Sequence, residues 1–317
     1  MTKGVSSHFQ KRSGTMKLVL SRKGFDAGSG GRLSPYDETT GRYVWLPIPE
    51  RKEVFQARIR YDEIPLERGY LGSIGTNVSD VYQEIYRTSK IKVGDDKREI
   101  DDPDIYAHFD PMLGRPPWVP ETSQLQIGKG FGQANAAPHL RKMNVADGDL
   151  FLFFGGFKAI GKARKGHFLY GWMKVKKRIE TYGDAQVASD EYGLERHPHV
   201  TKDAFSKLNY VYVPDEWLFK DLGIPGCGYF TTLNEGLRLS DRLDGRHGTW
   251  RLPSFLYQNI SQVHHSTWQQ DSDSCTVSTG IGQEFVCANP GADGEAWIRE
   301  LFVRNEGNVF RAGVRSV

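Results

Sequence analysis

Apolar residues in this chain occur in short runs that are interrupted by glycine and proline. Such runs are typical of β-strands, and they predict strands at residues 17–21, 43–49, 54–61, 150–157, 167–176 and 209–213. The longest apolar run, residues 150–154, is far shorter than the ~20 residues of a membrane-spanning helix. It therefore predicts a strand, and we expect no membrane partner.

Helical spacing of apolar residues is confined to a few segments. Residues 78–89 carry Val78, Val81 and Ile85 after a polar start, and residues 296–302 are amphipathic. Both patterns predict helices, and residues 217–222 predict a helical turn. We expect an α+β fold that is rich in strands, with a mixed or barrel-like sheet and peripheral helices.

The domain organisation predicted from the sequence is simple. Residues 16–317 show no internal repeat and no linker, which predicts one continuous domain. Residues 1–15 are polar and basic, as expected of a disordered or tag-like end. The 35 glycines, 15 prolines and 12% aromatic residues favour strands, tight turns and ordered loops.

Charge and cysteine content bear on the partners and the cellular location of the protein, but they do not indicate its chemistry. A net charge of +3 permits a nucleic-acid partner without arguing for one. The three cysteines show no CxxC spacing, and the chain shows no signal peptide. These features predict a reducing, cytoplasmic location, and the oligomeric state stays open.

The segment 145–178 has the most informative local pattern. A turn containing Gly148 and Asp149 precedes two apolar strands joined by a basic loop, which predicts an antiparallel hairpin. This order resembles PUA-like barrels of the EVE and ASCH type, which bind RNA or modified DNA bases. On the second strand, spacing by two places Trp172 on one face with Tyr170 and lysines, so Trp172 could stack on a base. The alternative is that Trp172 belongs to the core.

Phrases along nearly the whole chain resemble one family. They are LVLSRKGFDAGSGG, LPIPE, HFDPML, FGQANAAPHL, GDLFLFFGGF, HFLYGWMKV, RHPHV, NYVYV, LRLSD, TWRLPSF and GQEFV. In this order they are similar to the nucleotide modification associated domain family 3, over residues 16–302. The resemblance implies a role in base-modification systems of bacteria and phages, with DNA or a nucleotide as partner.

The glycine-rich loop after the first strand is the first candidate site. Arg22 and Lys23 suit contact with a phosphate, and Asp26 suits acid–base chemistry or contact with a ribose. Loops that follow buried strands often carry catalytic groups. A structural loop closed by salt bridges is the alternative.

His108 and Asp110 form a second candidate, because side chains at i and i+2 share a face of an extended segment. Asp110 could act as acid or base, and His108 could relay a proton. With a downstream histidine the pair could instead hold Fe(II), and the candidates are His197, His199, His247, His264 and His265. Pro111 favours a turn with local hydrogen bonds, so the sequence assigns no metal ligand and leaves the cofactor open.

Amide and imidazole side chains form a third group. Gln133, Asn135 and His139 surround small residues, where amides could contact the edge of a base. Hydrogen bonds within a loop are the alternative. Glu284, which follows Gln283, has the same ambiguity.

Together these patterns predict an enzyme that modifies a nucleobase or nucleotide, with the candidate residues converging on one pocket. One alternative is a non-catalytic PUA-like reader of modified DNA that uses Trp172 and Gln133. Another is an Fe(II)-dependent base hydroxylase, which needs His108, Asp110 and a distant histidine.

Overall fold

The computed structural model describes residues 15–51, 59–72, 75–241, 248–256, 260–262, 266–268, 274–277 and 284–310. The strands are β1 Leu18–Arg22, β2 Ser34–Tyr36, β3 Ile48–Glu50, β4 Lys90–Val93, β5 Asp96–Glu99, β6 Tyr106–His108, β7 Met112–Leu113, β8 Lys129–Gln133, β9 Leu150–Ala159, β10 Lys165–Ile179, β11 Tyr210–Pro214, β12 Trp217–Phe219, β13 Ile224–Pro225, β14 Cys227–Tyr229, β15 Thr249–Arg251, β16 Ile260–Gln262, β17 Ser266–Trp268, β18 Ser274–Val277 and β19 Glu284–Cys287. The α-helices are α1 Val78–Tyr86, α2 Ala137–Lys142, α3 Tyr182–Tyr192 and α4 Gly291–Arg304.

A 10-stranded mixed sheet organises the molecule. Its strands follow the order β16-β19-β1-β9-β10-β11-β8-β7, with β14 paired to β10 and β2 paired to β9. β1 and β2 run parallel to β9, and the other pairs are antiparallel. The predicted α+β class with a mixed sheet is confirmed. The sheet does not close into a barrel, and the PUA-like resemblance of the hairpin is not confirmed.

Helix α1 begins and ends at recognisable caps. Asn77 accepts a hydrogen bond from the backbone of Asp80 at the start of α1, and Arg87 ends this helix in the left-handed conformation. The helix predicted at 78–89 is thus confirmed but is shorter, and the segment 296–302 lies within α4. Among the described residues, none of the helices has both the length and the apolar character needed to cross a bilayer.

Two other predictions change in the structure, and two more lie mostly outside the described residues. Residues 217–222 form β12 followed by a short 3-10 turn, Lys220–Leu222, instead of one helical turn. The strand expected at 43–49 is limited to β3. Most of the strand expected at 54–61, and residues 1–14 of the tag-like end, lie outside the described residues.

The predicted hairpin is formed by β9 and β10, and its register shifts between Leu169 and Gly171. A β-bulge of this kind adds one residue to a strand and reverses the faces that follow. Tyr170 therefore packs on one face of the sheet and Trp172 on the other. The prediction that these two aromatic residues share a face is wrong, because strict alternation stops at the bulge.

Both faces of the sheet are buried, and each carries its own hydrophobic cluster. The first-face cluster includes Val19, Phe131, Phe151, Phe153 and Tyr170. The second-face cluster includes Leu20, Leu152, Phe154, Trp172 and, from α4, Phe302. Apolar side chains alternate along β1 and β9 to supply both, which is typical of strands covered on two sides.

Candidate functional site

Three charged side chains from distant parts of the chain meet on the first face, beyond the end of β1. Lys23 Nζ lies 3.7 Å from Asp110 Oδ2 and 3.6 Å from Glu284 Oε1. The side chains of Lys23, Asp110 and Glu284 are only 8%, 2% and 0% exposed. We call these three residues the charge cluster. Buried charges are costly unless they are paired, so this arrangement needs a physical account.

Glu284 is the most unusual member of the charge cluster. Its Oε1 accepts hydrogen bonds from Ser21 Oγ, at 3.0 Å, and from Gln133 Nε2, while its buried Oε2 has no hydrogen-bond partner among the described residues. Burial raises the pKa of Glu284 to about 7, although Lys23, Ser21 and Gln133 oppose this shift. This carboxyl group can therefore exchange a proton near neutral pH.

Asp110 has the opposite electrostatic character. Its Oδ1 accepts a hydrogen bond from the backbone N–H of Gly132 at 2.8 Å and lies 3.2 Å from His197 Nε2. Burial opposes ionisation of Asp110, but Lys23, His197 and His199 outweigh it and hold its pKa below the usual range. The charge cluster thus contains one carboxylate that stays ionised and one carboxyl group that titrates.

A group of histidines lies on the other side of Asp110. One ligand atom each from His108, Asp110 and His199 lie within 4.8 Å of one another. His108 Nδ1 is 2.9 Å from Glu50 Oε2, and His199 Nδ1 is 2.7 Å from Asn209 Oδ1. Of the described residues, these are the ones whose chemistry and spacing could hold a metal ion.

Arg22 and Asp26 also come together, at the start of the glycine-rich loop. Arg22 Nη1 lies 3.0 Å from Asp26 Oδ2, and Asp26 Oδ1 accepts hydrogen bonds from the backbone N–H groups of Gly28 and Ser29. The Arg22 side chain is only 1% exposed, and burial lowers its pKa even though Asp26 and Tyr170 oppose the shift. Asp26 therefore closes the loop and pairs with Arg22.

The structure separates the amide and imidazole residues that are predicted to bind substrate, Gln133, Asn135 and His139. Gln133 Nε2 donates to Glu284 Oε1, and Gln133 Oε1 accepts from the backbone of Ala136, so both ends of its amide are engaged within the protein. Asn135 is exposed in the turn before α2. His139 lies on α2 beside the backbone of Ser261, and its burial lowers its pKa. Of these three, Gln133 contacts the charge cluster.

Trp172 lies apart from these residues, on the second face. It is fully buried against Phe230 and Phe302, and its indole N–H donates to the backbone oxygen of Pro225 at 2.9 Å. A buried ring offers no face on which a base could stack. Trp172 is therefore a core residue, which is the alternative that the sequence leaves open.

Four of the basic residues around the hairpin are paired with carboxylates of the protein. The pairs are Lys162 and Arg164 with Glu38, Lys174 with Asp215, and Lys176 with Glu191. Cations that already have such partners gain less from a phosphate backbone.

Two residues of the site have no signal in the sequence. Glu50 ends β3, which pairs with β6, and this pairing brings its carboxylate to His108. Asn209 precedes β11 and contacts His199 across a loop. Neither lies in a motif, so only the tertiary structure reveals them.

Comparison with known proteins identifies a family for the chain. A search of the curated proteins and a search of the solved structures found no significant match. The family model described as nucleotide modification associated domain 3 matches residues 17–288, which include every residue of the charge cluster and the histidine group. The chain therefore belongs to the nucleotide modification associated domain 3 family.

Proposed function

We propose that this protein is an enzyme that modifies a nucleobase or a nucleotide, with its reaction centre at the charge cluster. The family description supports an involvement in nucleotide modification. The step from involvement to catalysis depends on the residues themselves.

One observation carries this proposal: Glu284 is fully buried, has one oxygen without a partner among the described residues, and shares Lys23 with a second carboxylate. An unpaired buried polar atom costs ~1–3 kcal/mol. Groups that reduce stability in this way cluster at functional sites, where a substrate supplies the missing partner.

The two carboxyl groups are suited to different roles. Glu284, with a pKa of about 7, can give up and take back a proton at neutral pH, as a general acid or base must. Asp110 remains an anion beside it, and Lys23 can stabilise negative charge that develops on a substrate. A pair of titratable groups with separated pKa values is typical of acid–base centres.

The glycine-rich loop contributes to the proposed centre through Lys23. Lys23 belongs both to this loop and to the charge cluster, and Asp26 Oδ1 holds the loop closed. In this proposal, Lys23 faces the reacting group and Arg22, through its pairing with Asp26, fixes the loop.

The reader alternative finds less support than the enzyme. It requires Trp172 to stack on a base and the hairpin cations to contact phosphates. Trp172 is buried on the second face, and four of these cations have carboxylate partners.

Mass spectrometry of nucleosides tests the proposal. The DNA and the nucleotide pool are compared between cells that carry the gene and cells that lack it. We expect a nucleoside or nucleotide that changes in abundance only when the gene is present, and that returns to the level of the gene-less cells with Lys23→Met.

A matched control is Glu300→Gln on the exposed surface of α4, where Glu300 pairs with Arg304. This variant should retain the full change. Identical nucleoside and nucleotide profiles with and without the gene would refute the proposed function.

A further inference from the structure

We infer that His108, Asp110 and His199 bind a single divalent transition-metal ion. This inference deepens the proposed function, on which its catalytic meaning rests, because it assigns a cofactor to the region beside the charge cluster. The three residues come from β6, from the segment that follows it, and from the loop after α3. One donor atom from each lies within 4.8 Å of the others.

His199 is held in the form that binds a metal. Asn209 Nδ2 donates to the backbone oxygen of His199 at 3.1 Å, which orients the amide so that its Oδ1 faces His199 Nδ1 at 2.7 Å. An amide oxygen only accepts hydrogen bonds, so His199 Nδ1 carries the proton. The lone pair of Nε2 is then available for a metal.

His108 has the carboxylate partner that is common behind metal-bound histidines. Its Nδ1 lies 2.9 Å from Glu50 Oε2. A carboxylate at this position fixes the ring and makes the opposite nitrogen a stronger ligand. The ring centroids of His108 and His199 are 5.1 Å apart, and the two rings are nearly perpendicular. The two imidazoles are therefore direct neighbours.

Asp110 is oriented by two groups on one of its oxygens. The backbone N–H of Gly132 donates to Oδ1, and His197 Nε2 lies 3.2 Å from the same atom. His197 Nδ1 accepts from the backbone N–H of His199, so the proton of His197 is on Nε2, the atom that lies 3.2 Å from Asp110 Oδ1. His197 is thus a positioning residue, and His199, two residues later, is the ligand.

The charges around the site favour a dication. Glu50, Asp110 and Glu284 contribute three carboxyl groups, and Lys23 contributes one ammonium group. Acidic groups therefore outnumber the basic group around the site.

Two imidazoles and one carboxylate form the donor set of mononuclear Fe(II) sites that keep open positions for substrate. Metal–ligand bonds are about 2.1 Å long, so two donors of one ion lie at most about 4.2 Å apart, which is close to the spacing in this group. The His108 side chain is 16% exposed and His199 is partly exposed, so both rings are partly accessible to solvent.

Titration of the untagged, full-length protein with Co(II) tests the inference, with visible absorption and calorimetry as readouts. We expect one Co(II) per chain and the d–d bands of a nitrogen–oxygen site, and competition by Fe(II) under anaerobic conditions. His199→Gln should abolish stoichiometric binding. Glu50→Gln, which keeps all three ligands, should weaken binding about 10–100-fold.

His139→Gln is the matched control, because His139 lies on α2 outside the group, and it should bind Co(II) like the original chain. The inference is overturned if the original chain binds no Co(II), or if His199→Gln and Glu50→Gln, shown to be folded by circular dichroism, bind as tightly as the original. That result would leave the nucleoside comparison, and hence the proposed function, untouched. Identical nucleoside and nucleotide profiles with and without the gene, in a protein that binds Co(II) as expected, would refute the proposed function and leave the metal site standing.

Discussion

The two faces of the sheet differ in whether their buried indole N–H groups have hydrogen-bond partners. On the second face, the indole N–H of Trp172 donates to Pro225 O and that of Trp250 donates to His167 Nδ1 at 3.1 Å. On the first face, the buried indole nitrogens of Trp45 and Trp118 have no hydrogen-bond partner among the described residues. The two indoles of the second face are satisfied, whereas several buried polar atoms of the first face have no partner among the described residues.

The charged residues sharpen this difference. The first face contains Lys23 between Asp110 and Glu284, and next to them the hydroxyl group of Tyr170 is buried without a partner among the described residues. Tyr170 also interacts electrostatically with Asp110. The second face packs its aromatic side chains with their indole groups satisfied and so supports folding, whereas the first face, at the candidate site, carries buried polar atoms that cost stability.

The largest expected effect comes from the second face. Trp172→Ala removes a fully buried indole that packs against Phe230 and Phe302, and should lower the free energy of unfolding by about 3–5 kcal/mol. Urea denaturation measures this loss. Co(II) binding by the folded fraction should not change, because Trp172 lies across the sheet from the ligands. A variant that keeps its stability would contradict the role given to the second face.

A smaller and pH-dependent effect is expected from Glu284→Gln. Burial raises the pKa of Glu284 from 4.5 to about 7, so the folded chain binds this proton more tightly than the unfolded chain. The resulting stabilisation is complete below pH 4.5 and is lost as the pH rises through 7. Glutamine does not titrate, so the stability of the variant relative to the original should increase over this range, by up to ~3 kcal/mol.

Urea denaturation of both proteins at several pH values between 5 and 8 gives this difference, and Glu300→Gln serves as the exposed control. A difference that is constant with pH would show that Glu284 does not titrate as its burial requires.

The smallest effect is expected at Tyr170. Tyr170→Phe removes a hydroxyl group that has no partner among the described residues and should leave the free energy of unfolding unchanged or raise it by less than ~1 kcal/mol. Trp172→Phe, which loses a satisfied hydrogen bond on the second face, should instead reduce stability. Thermal denaturation compares the two. Equal losses would remove the contrast between the faces.

The sequence predicts the framework because local patterns determine it. The apolar run in β9 reflects burial of the strand, and the start of α1 reflects a hydrogen bond between residues that are close in the chain. Both therefore leave a local signal in the sequence. The bulge near Tyr170 is a partial exception: Gly171 stands at the register shift, and an isolated glycine in a strand is compatible with a bulge, but it does not fix where alternation fails. The strand order and the two-sided burial also depend on pairings between distant segments.

The candidate site is predictable only in part. Lys23, His108 and Asp110 were identifiable because chemically useful residues lie close together in the chain. Their meeting with Glu284 depends on β19 pairing with β1, a contact across most of the chain. Glu50 and Asn209 gain their roles from pairing and loop closure, which no spacing in the sequence encodes.

The most direct test of the account measures stability and function on the same variant at pH 8. Glu284→Gln keeps the size of the side chain and removes the charge that burial opposes. The account predicts that this protein is at least as stable as the original and that cells carrying it lack the gene-dependent change in nucleosides or nucleotides. An undiminished change in cells that carry the folded variant would contradict the central claim that Glu284 serves the reaction.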